Sequence, residues 1–370
     1  MKKTLWIGIT AVVLAGIGIL IYYYSGGSDS AVPETESEVL NELLSAAPLS
    51  RIELNIDSGD TLLASKIQMT LPSRRSDEML DSFRSTQIKV FGDYLVAMDF
   101  LTDNIAVFRK SGGFVRYLNR NELSQAASLM SDGESLFVYD YGNKQLHRYN
   151  GDLSFEESVS FSAPYYAQGS VSANRNHLVL QNEAATGFRV GETQDSLLAV
   201  MDINQPDQTL FKALPRIVPS GKHPGGFNNL IFSINERSEI AAAYPALPYL
   251  FLYRNFEHVQ TVVLQAADFE TVDNPPLTPF QPVAGEAVQI QNLIDEVLLT
   301  ESGNILMFGA GRLHHLKPRR NGDIVHHKSY NVVPEDGDPL ESVSSLDADP
   351  DNPDIVYATS DGRIYRFEIL

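Results

Sequence analysis

Residues 94–118 read YLVAMDFLTDNIAVFRKSGGFVRYL. The apolar run from Tyr94 to Phe100 stops at Thr102, Asp103 and Asn104, resumes from Ile105 to Arg109, and stops again at Ser111, Gly112 and Gly113 before Phe114–Leu118. Breakers fall only between runs rich in β-branched and aromatic residues, the pattern of antiparallel strands joined by hairpins. With Gln87–Phe91 placed in front, the stretch predicts a four-stranded meander.

The same texture returns along the chain. It recurs at Ser135–Asp140 with Gln145–Tyr149, and at His177–Leu180 with Leu197–Asp202. Further units run through Glu239–Tyr244, Tyr249–Tyr253 and Thr261–Leu264, then Asn304–Phe308, Arg312–Leu316 and Asp323–His327, and finally Asp354–Ala358 and Arg363–Phe367. Spacings of roughly 40–65 residues suit a β-propeller, and no long helical periodicity between units points to βαβ architecture. The expected fold is all-β: a six-bladed β-propeller of four-stranded antiparallel blades over residues 49–370. The last unit ends at Leu370 one strand short, and Arg51–Ile56 is an unattached strand at the other end. Pairing of Arg51–Ile56 with Arg363–Ile369 is expected to close the ring and leave no long edge open.

Ahead of the domain, Lys2 and Lys3 precede an uncharged apolar run from Leu5 to Tyr24. At about 1.5 Å per residue this run spans roughly 30 Å, the thickness of a bilayer core. Tyr22, Tyr23 and Tyr24 stand where a cleaved signal peptide would carry small residues, which favours an uncleaved helical anchor over residues 1–24. The expected address is the cell membrane, single-pass, with the propeller in the periplasm or outside the cell. Residues 25–48 then form an acidic linker, in which Glu38–Leu44 has room for a turn or two of helix.

Composition excludes several classes. The 370-residue chain has no Cys, so disulfides, thiol catalysis and Cys-ligated metals are absent. With 47 Asp+Glu against 28 Lys+Arg, the formal charge of −19 opposes nucleic-acid binding. Arg74–Arg75 and Arg319–Arg320 are isolated basic pairs, with no basic stripe.

The stretches Gly92–Asp99 (GDYLVAMD), Ile240–Tyr244 (IAAAY) and Leu250–Tyr253 (LFLY) resemble the blades of TolB-like six-bladed propellers, exported proteins of Bacteroidetes-type bacteria. The resemblance covers roughly residues 50–370. It implies a propeller that binds something and implies no known reaction. Where many members carry Gly-x-Gly-Pro-Gly-Glu, this chain reads LNRNELSQ from Leu118, keeping Glu122 and none of the glycines. Residues 349–365 also resemble sialidase-type repeats, without the Ser-x-Asp-x-Gly-x-Thr-Trp box. The only tryptophan is Trp6, so the domain lacks the Trp of WD40 and quinoprotein blades.

No residue takes a catalytic role: there is no Gly-x-Ser-x-Gly elbow. His314, His315, His326 and His327 lie on one expected hairpin, and a four-residue loop would set His314 opposite His327 and His315 opposite His326. Two imidazoles on a face fall short of a metal site, so no metal or other cofactor is expected. Asp347, Asp349, Asp351 and Asp354 are spaced like calcium ligands. However, Asn352 and Ala358 stand where an EF-hand needs Gly and Glu, and a turn is the better reading. The candidate ligand-binding residues are Arg74 and Arg75, near the first blade, and Lys222 and His223, in the Gly/Pro-shaped loop Pro219–Phe227. The expected function is a non-catalytic binding or interaction scaffold for a protein or carbohydrate partner, without nucleic acid. The alternative is a calcium-dependent, lactonase-type hydrolase, which requires carboxylates and amides converging on the propeller axis.

Overall fold

In the computed structural model, the described residues are 36–55, 60–69, 83–99, 104–118, 123–124, 126–160, 165–166, 172–182, 196–215, 229–266, 269, 292–335 and 337–369. Helix α1 (Glu36–Ser45) and strands β1 (Leu49–Glu53) and β2 (Thr61–Lys66) precede the repeat. The first meander is β3 (Gln87–Phe91), β4 (Tyr94–Asp99), β5 (Asn104–Arg109) and β6 (Phe114–Leu118). The second is β7 (Ala126–Ser131), β8 (Leu136–Asp140), β9 (Gln145–Tyr149) and β10 (Phe155–Ser160). Next come β11 (Tyr165–Tyr166), β12 (Ser172–Ala173), β13 (His177–Asn182), β14 (Ser196–Asp202) and β15 (Gln205–Pro215). They are followed by β16 (Ile231–Ile234), β17 (Glu239–Ala243), β18 (Tyr249–Arg254) and β19 (Glu257–Gln265). The chain ends with β20 (Glu296–Leu299), β21 (Ile305–Gly309), β22 (Arg312–Pro318) and β23 (Ile324–Pro334), then β24 (Ser345–Ala348), β25 (Ile355–Ser360) and β26 (Arg363–Glu368).

The architecture is an all-β propeller. The first strands of successive meanders neighbour one another in the cyclic order β3, β7, β12, β16, β20, β24 and back to β3. Second strands such as β8 and β21 are buried throughout, because sheets press on both of their faces. Outer strands such as β10 are largely exposed and carry the polar residues. The apolar core is split into clusters between adjacent sheets. One joins Met98 and Val107 to Leu129 and Val138, and another joins Val90 and Phe108 to Tyr357 and Ile364 across the seam between chain start and chain end. Around the axis polar side chains such as Gln87, Ser172 and Ser233 stand among apolar ones such as Phe232 and Leu298.

Closure corrects the expected fold. Hydrogen bonding among the described residues does not give six discrete four-stranded blades but five sheets, of five, four, five, eight and four strands. The eight-stranded sheet runs β20-β21-β22-β23-β2-β26-β25-β24 and is fused through β2. Thr61–Ala64 lie parallel to Asn331–Pro334, and Ser65 and Lys66 turn onto Arg366 and Tyr365 as the antiparallel partner of β26. Arg51–Ile56 is the segment expected to make that closure, but its first residues belong to β1 (Leu49–Glu53), which adds in parallel to β19 at Thr261–Gln265. Both segments alternate, but the buried members differ in where they fit. Leu62 and Ala64 enter the cluster of β23, β25 and β26, whereas Ile52 and Leu54 enter the cluster between β16–β19 and β20–β23. Ahead of them, α1 packs Leu40 and Leu43 against Val179, Leu214 and Tyr253. No helix among the described residues is long and apolar enough to cross a membrane, and the anchor expected at residues 1–24 lies outside them.

Candidate functional site

The inner strands surround two cavities that share Lys89, Ser172, Ser233 and Leu298 and together make an axial channel. One, of about 470 Å³, opens where the inner strands begin, and the other, of about 460 Å³, where they end. Several of the polar side chains of the channel tie one sheet to the next. Gln87 Oε1 accepts from the Leu129 amide (2.7 Å), Ser172 Oγ from Ile234 (3.1 Å), Ser233 Oγ from Leu299 (3.1 Å) and Ser345 Oγ from Ile88 (3.3 Å). An innermost strand has no ladder partner on its axial side, so its amides need acceptors from elsewhere. Each of these side chains supplies one.

At the seam between β24 and β3 the tie is ionic. Asp347 Oδ2 accepts from the Val90 amide (2.7 Å), and Lys89 Nζ donates to Asp347 Oδ1 (3.2 Å). Lys110 Nζ reaches Asp349 Oδ2 at 2.8 Å and Asp351 at 3.5 Å. The calcium-like spacing from Asp347 to Asp351 therefore serves β24, its turn and this seam. Among the described residues no group of three or more His, Cys, Asp or Glu is placed to hold a metal ion, while Asp295 and Glu296 line one axial cavity together with the amides Asn229 and Asn292.

Two channel groups remain distinctive, Asp295 and Glu296, where the chain enters β20. Burial pushes the Asp295 carboxyl up to about 6. Burial also pushes Glu296 up to about 8, against the Val297 amide and Lys89, while Asp295 and Asp347 add to the rise. Glu296 therefore keeps its proton to higher pH than an ordinary glutamate, and while protonated it can donate a hydrogen bond into the channel. At the opposite mouth Glu236 and Glu301 are also raised, chiefly by burial, and Arg175 sits between Glu134 (2.9 Å) and Glu236 (3.7 Å).

The four residues singled out from sequence, Arg74, Arg75, Lys222 and His223, lie outside the described residues. The histidine hairpin is described and its register differs from expectation. A bulge between His315 and Leu316 pairs His314 with Ser329, His315 with Lys328 and Leu316 with His326. His314 Nδ1 and His326 Nε2 both meet Ser329 Oγ at 2.8 Å, while His315 stacks edge-on against His327 at 5.1 Å.

A Ser–His–Asp grouping went unnoticed in the sequence. Ser158 Oγ lies 2.7 Å from His147 Nδ1, and His147 Nε2 lies 3.6 Å from Asp140 Oδ2. Its chemistry is structural. The His314–Ser329 pair repeats the same third-to-fourth-strand contact, and Asp140 accepts from the Ser124 amide and Asn143 Nδ2, both at 2.8 Å. Ser158 itself stands on the exposed outer strand β10.

No family model and no curated protein matches the chain. It is similar in structure to solved propellers at low identity. A Bacteroides fragilis protein described as exported has a TM-score of 0.48 and 12% identity, covering 86% of this chain and 98% of that one. A Bacteroides thetaiotaomicron protein of unknown function has a TM-score of 0.48 and 11% identity, covering 88% and 75%. A gluconolactonase of Xanthomonas campestris has a TM-score of 0.42 and 12% identity, covering 84% and 87%. None of these likenesses brings an activity, ligand or partner to this chain.

Proposed function

We propose that the protein is a non-catalytic binding propeller that works outside the cytoplasm and takes a neutral, hydroxyl-rich ligand, such as the end of a carbohydrate chain, into its axial channel. The observation that carries this reading is the division of labour along the axis. Gln87, Ser172, Ser233, Ser345 and Asp347 are committed to neighbouring strands, which leaves Glu296 and Asp295 as the acid groups facing the larger cavity. A protonated Glu296 offers a donor and Asp295 an acceptor to a neutral hydroxyl. Among the described residues lining that cavity no histidine stands beside its serines, and the reading includes no reaction. Lys2 and Lys3 followed by the uncharged apolar run Leu5–Tyr24 support an exported address, and residues 92–99 and 240–253 support kinship with TolB-like propellers.

Titration of the full chain with neutral mono- and disaccharides, followed by calorimetry, tests the proposal. Binding at pH 7 is expected to survive Glu296→Gln, which keeps a donor, and to weaken about tenfold in Glu296→Leu, in line with loss of one buried hydrogen bond. Equal binding by wild type and Glu296→Leu, or no binding by either, would remove the reading.

A further inference from the structure

A further cavity, away from the axis, gathers positive charge in this acidic molecule. It has a volume of about 390 Å³ and lies between β17–β19 and the turn joining β22 to β23. Four arginines line it, Arg237, Arg254, Arg319 and Arg320, against a single carboxylate, Glu239. They come from three separate parts of the chain, and only folding brings them together. Its floor is apolar, built by Ile240, Leu252 and Ile305.

Glu239 organises the charge. Its Oε2 accepts from Arg237 Nη2 at 2.6 Å and its Oε1 from Arg254 Nε at 3.0 Å, while Asn235 Nδ2 donates to Oε2 at 2.9 Å. Burial works against the Glu239 carboxylate, yet Asn235 and the two guanidiniums together hold it below the usual range. It therefore stays charged and fixes two planar donors at the cleft wall. A guanidinium has five N–H donors, so one shared carboxylate leaves most of them for a second acceptor. Arg319 and Arg320 stand exposed on the opposite lip. Asp323 of the same turn accepts from Asn321 Nδ2 at 2.5 Å.

We infer that this cleft binds an oxyanion, a phosphate, sulfate or carboxylate group, on a ligand whose apolar part rests on the floor. Forked arginines match tetrahedral and planar oxyanions through paired hydrogen bonds. Against a formal charge of −19 for the whole chain, four arginines at one cleft form a local reversal of sign. The inference does not depend on the axial reading, because the cavity lined by Asp295 and Glu296 shares no lining residue with this cleft and the cavity at the opposite mouth shares only Leu299 and Ser302.

The test is calorimetry of the full chain at low ionic strength with pyrophosphate, sulfate and citrate as separate probes. The wild type is expected to bind at least one, more weakly as salt rises, and the probe that binds names the oxyanion class. Arg319→Gln/Arg320→Gln, two changes at an exposed turn that are expected to keep the wild-type melting temperature, should weaken that binding about tenfold or more. Glu296→Gln, in the axial channel, should leave it unaltered. Failure of all three probes to bind the wild type, or binding by the double variant equal to that of the wild type, overturns the inference.

Discussion

Glu296 shows how one side chain links position to charge. Its carboxyl is raised to about 8 because it sits beside the axis with Asp295 and Asp347 near it, and Lys89 only partly compensates. The folded protein therefore holds a proton that the unfolded chain releases near its ordinary pKa. Stability from this group is complete at low pH, declines as pH rises through the window up to about 8, and is flat above. Glu296→Gln removes the decline, and the variant is expected to melt about 2–4 °C above wild type at pH 9 and level with it at pH 4. Melting curves at the two pH values check this; a gap of equal size at both would contradict it. Histidines act in the opposite direction. Burial lowers His314 to about 3 and His315 to about 4, so unfolding takes up protons once pH drops below the ordinary imidazole value. Stability should fall on acidification by about 1.4 kcal/mol per pH unit for each group between 6.5 and its folded pKa. Neither ring nitrogen of His315 has a hydrogen-bond partner, so His315→Gln should flatten that slope by one group's share in urea titrations from pH 6.5 to 4.5. An unchanged slope would show that His315 is not the group responsible.

The turns after the inner strands set the spacing of neighbouring sheets. Asn235 Oδ1 accepts from the amides of Arg237 (3.1 Å) and Glu239 (3.0 Å), and its Nδ2 reaches the Thr300 carbonyl at 3.2 Å in the next sheet. Asn174 makes the same turn one sheet earlier and donates to the Asn235 carbonyl at 2.8 Å. Both are buried, so Asn235→Ala strands several polar groups and is expected to cost about 2–4 kcal/mol in urea unfolding. A loss below about 0.5 kcal/mol would mean that water replaces the side chain without penalty. Strands were legible because local chemistry fixes them: the alternation and breakers of residues 94–118 match β4, β5 and β6. Register and partnership were not. The bulge at His315–Leu316 depends on tertiary packing and has no marker in RLHHL, so the expected facing of the histidines failed by geometry. The axial acceptors Ser172, Ser233 and Ser345 look like ordinary hydroxyls in the sequence. Arg319–Arg320 looked isolated because Arg237 and Arg254 lie far away along the chain. Asp295 and Glu296 carry no motif, and only their place at the channel sets them apart.

At the scale of the whole molecule, ring closure decides stability, and β2 carries it. The last meander contributes β24, β25 and β26, and the sheet is completed by Ser65 and Lys66 while Thr61–Ala64 extend the preceding meander. One short strand thus covers two edges that would otherwise present unpaired amides and carbonyls. The alternation of β2 yields a sharp test. Ala64 is fully buried and Leu62 nearly so, in the cluster with Tyr330, Val356 and Phe367, whereas Leu63 between them is 70% exposed. Ala64→Asp places an unpaired carboxylate in that cluster and is expected to destabilise the protein by about 3–5 kcal/mol, with earlier proteolytic cleavage near residues 60–69. Leu63→Asp, one residue away on the solvent face, should stay within about 0.5 kcal/mol of wild type. If instead residues 51–56 closed the ring, Ala64→Asp would be tolerated like its neighbour. The contrast between the two aspartates, read in a single denaturant series, therefore distinguishes closure through β2 from closure through the segment before it.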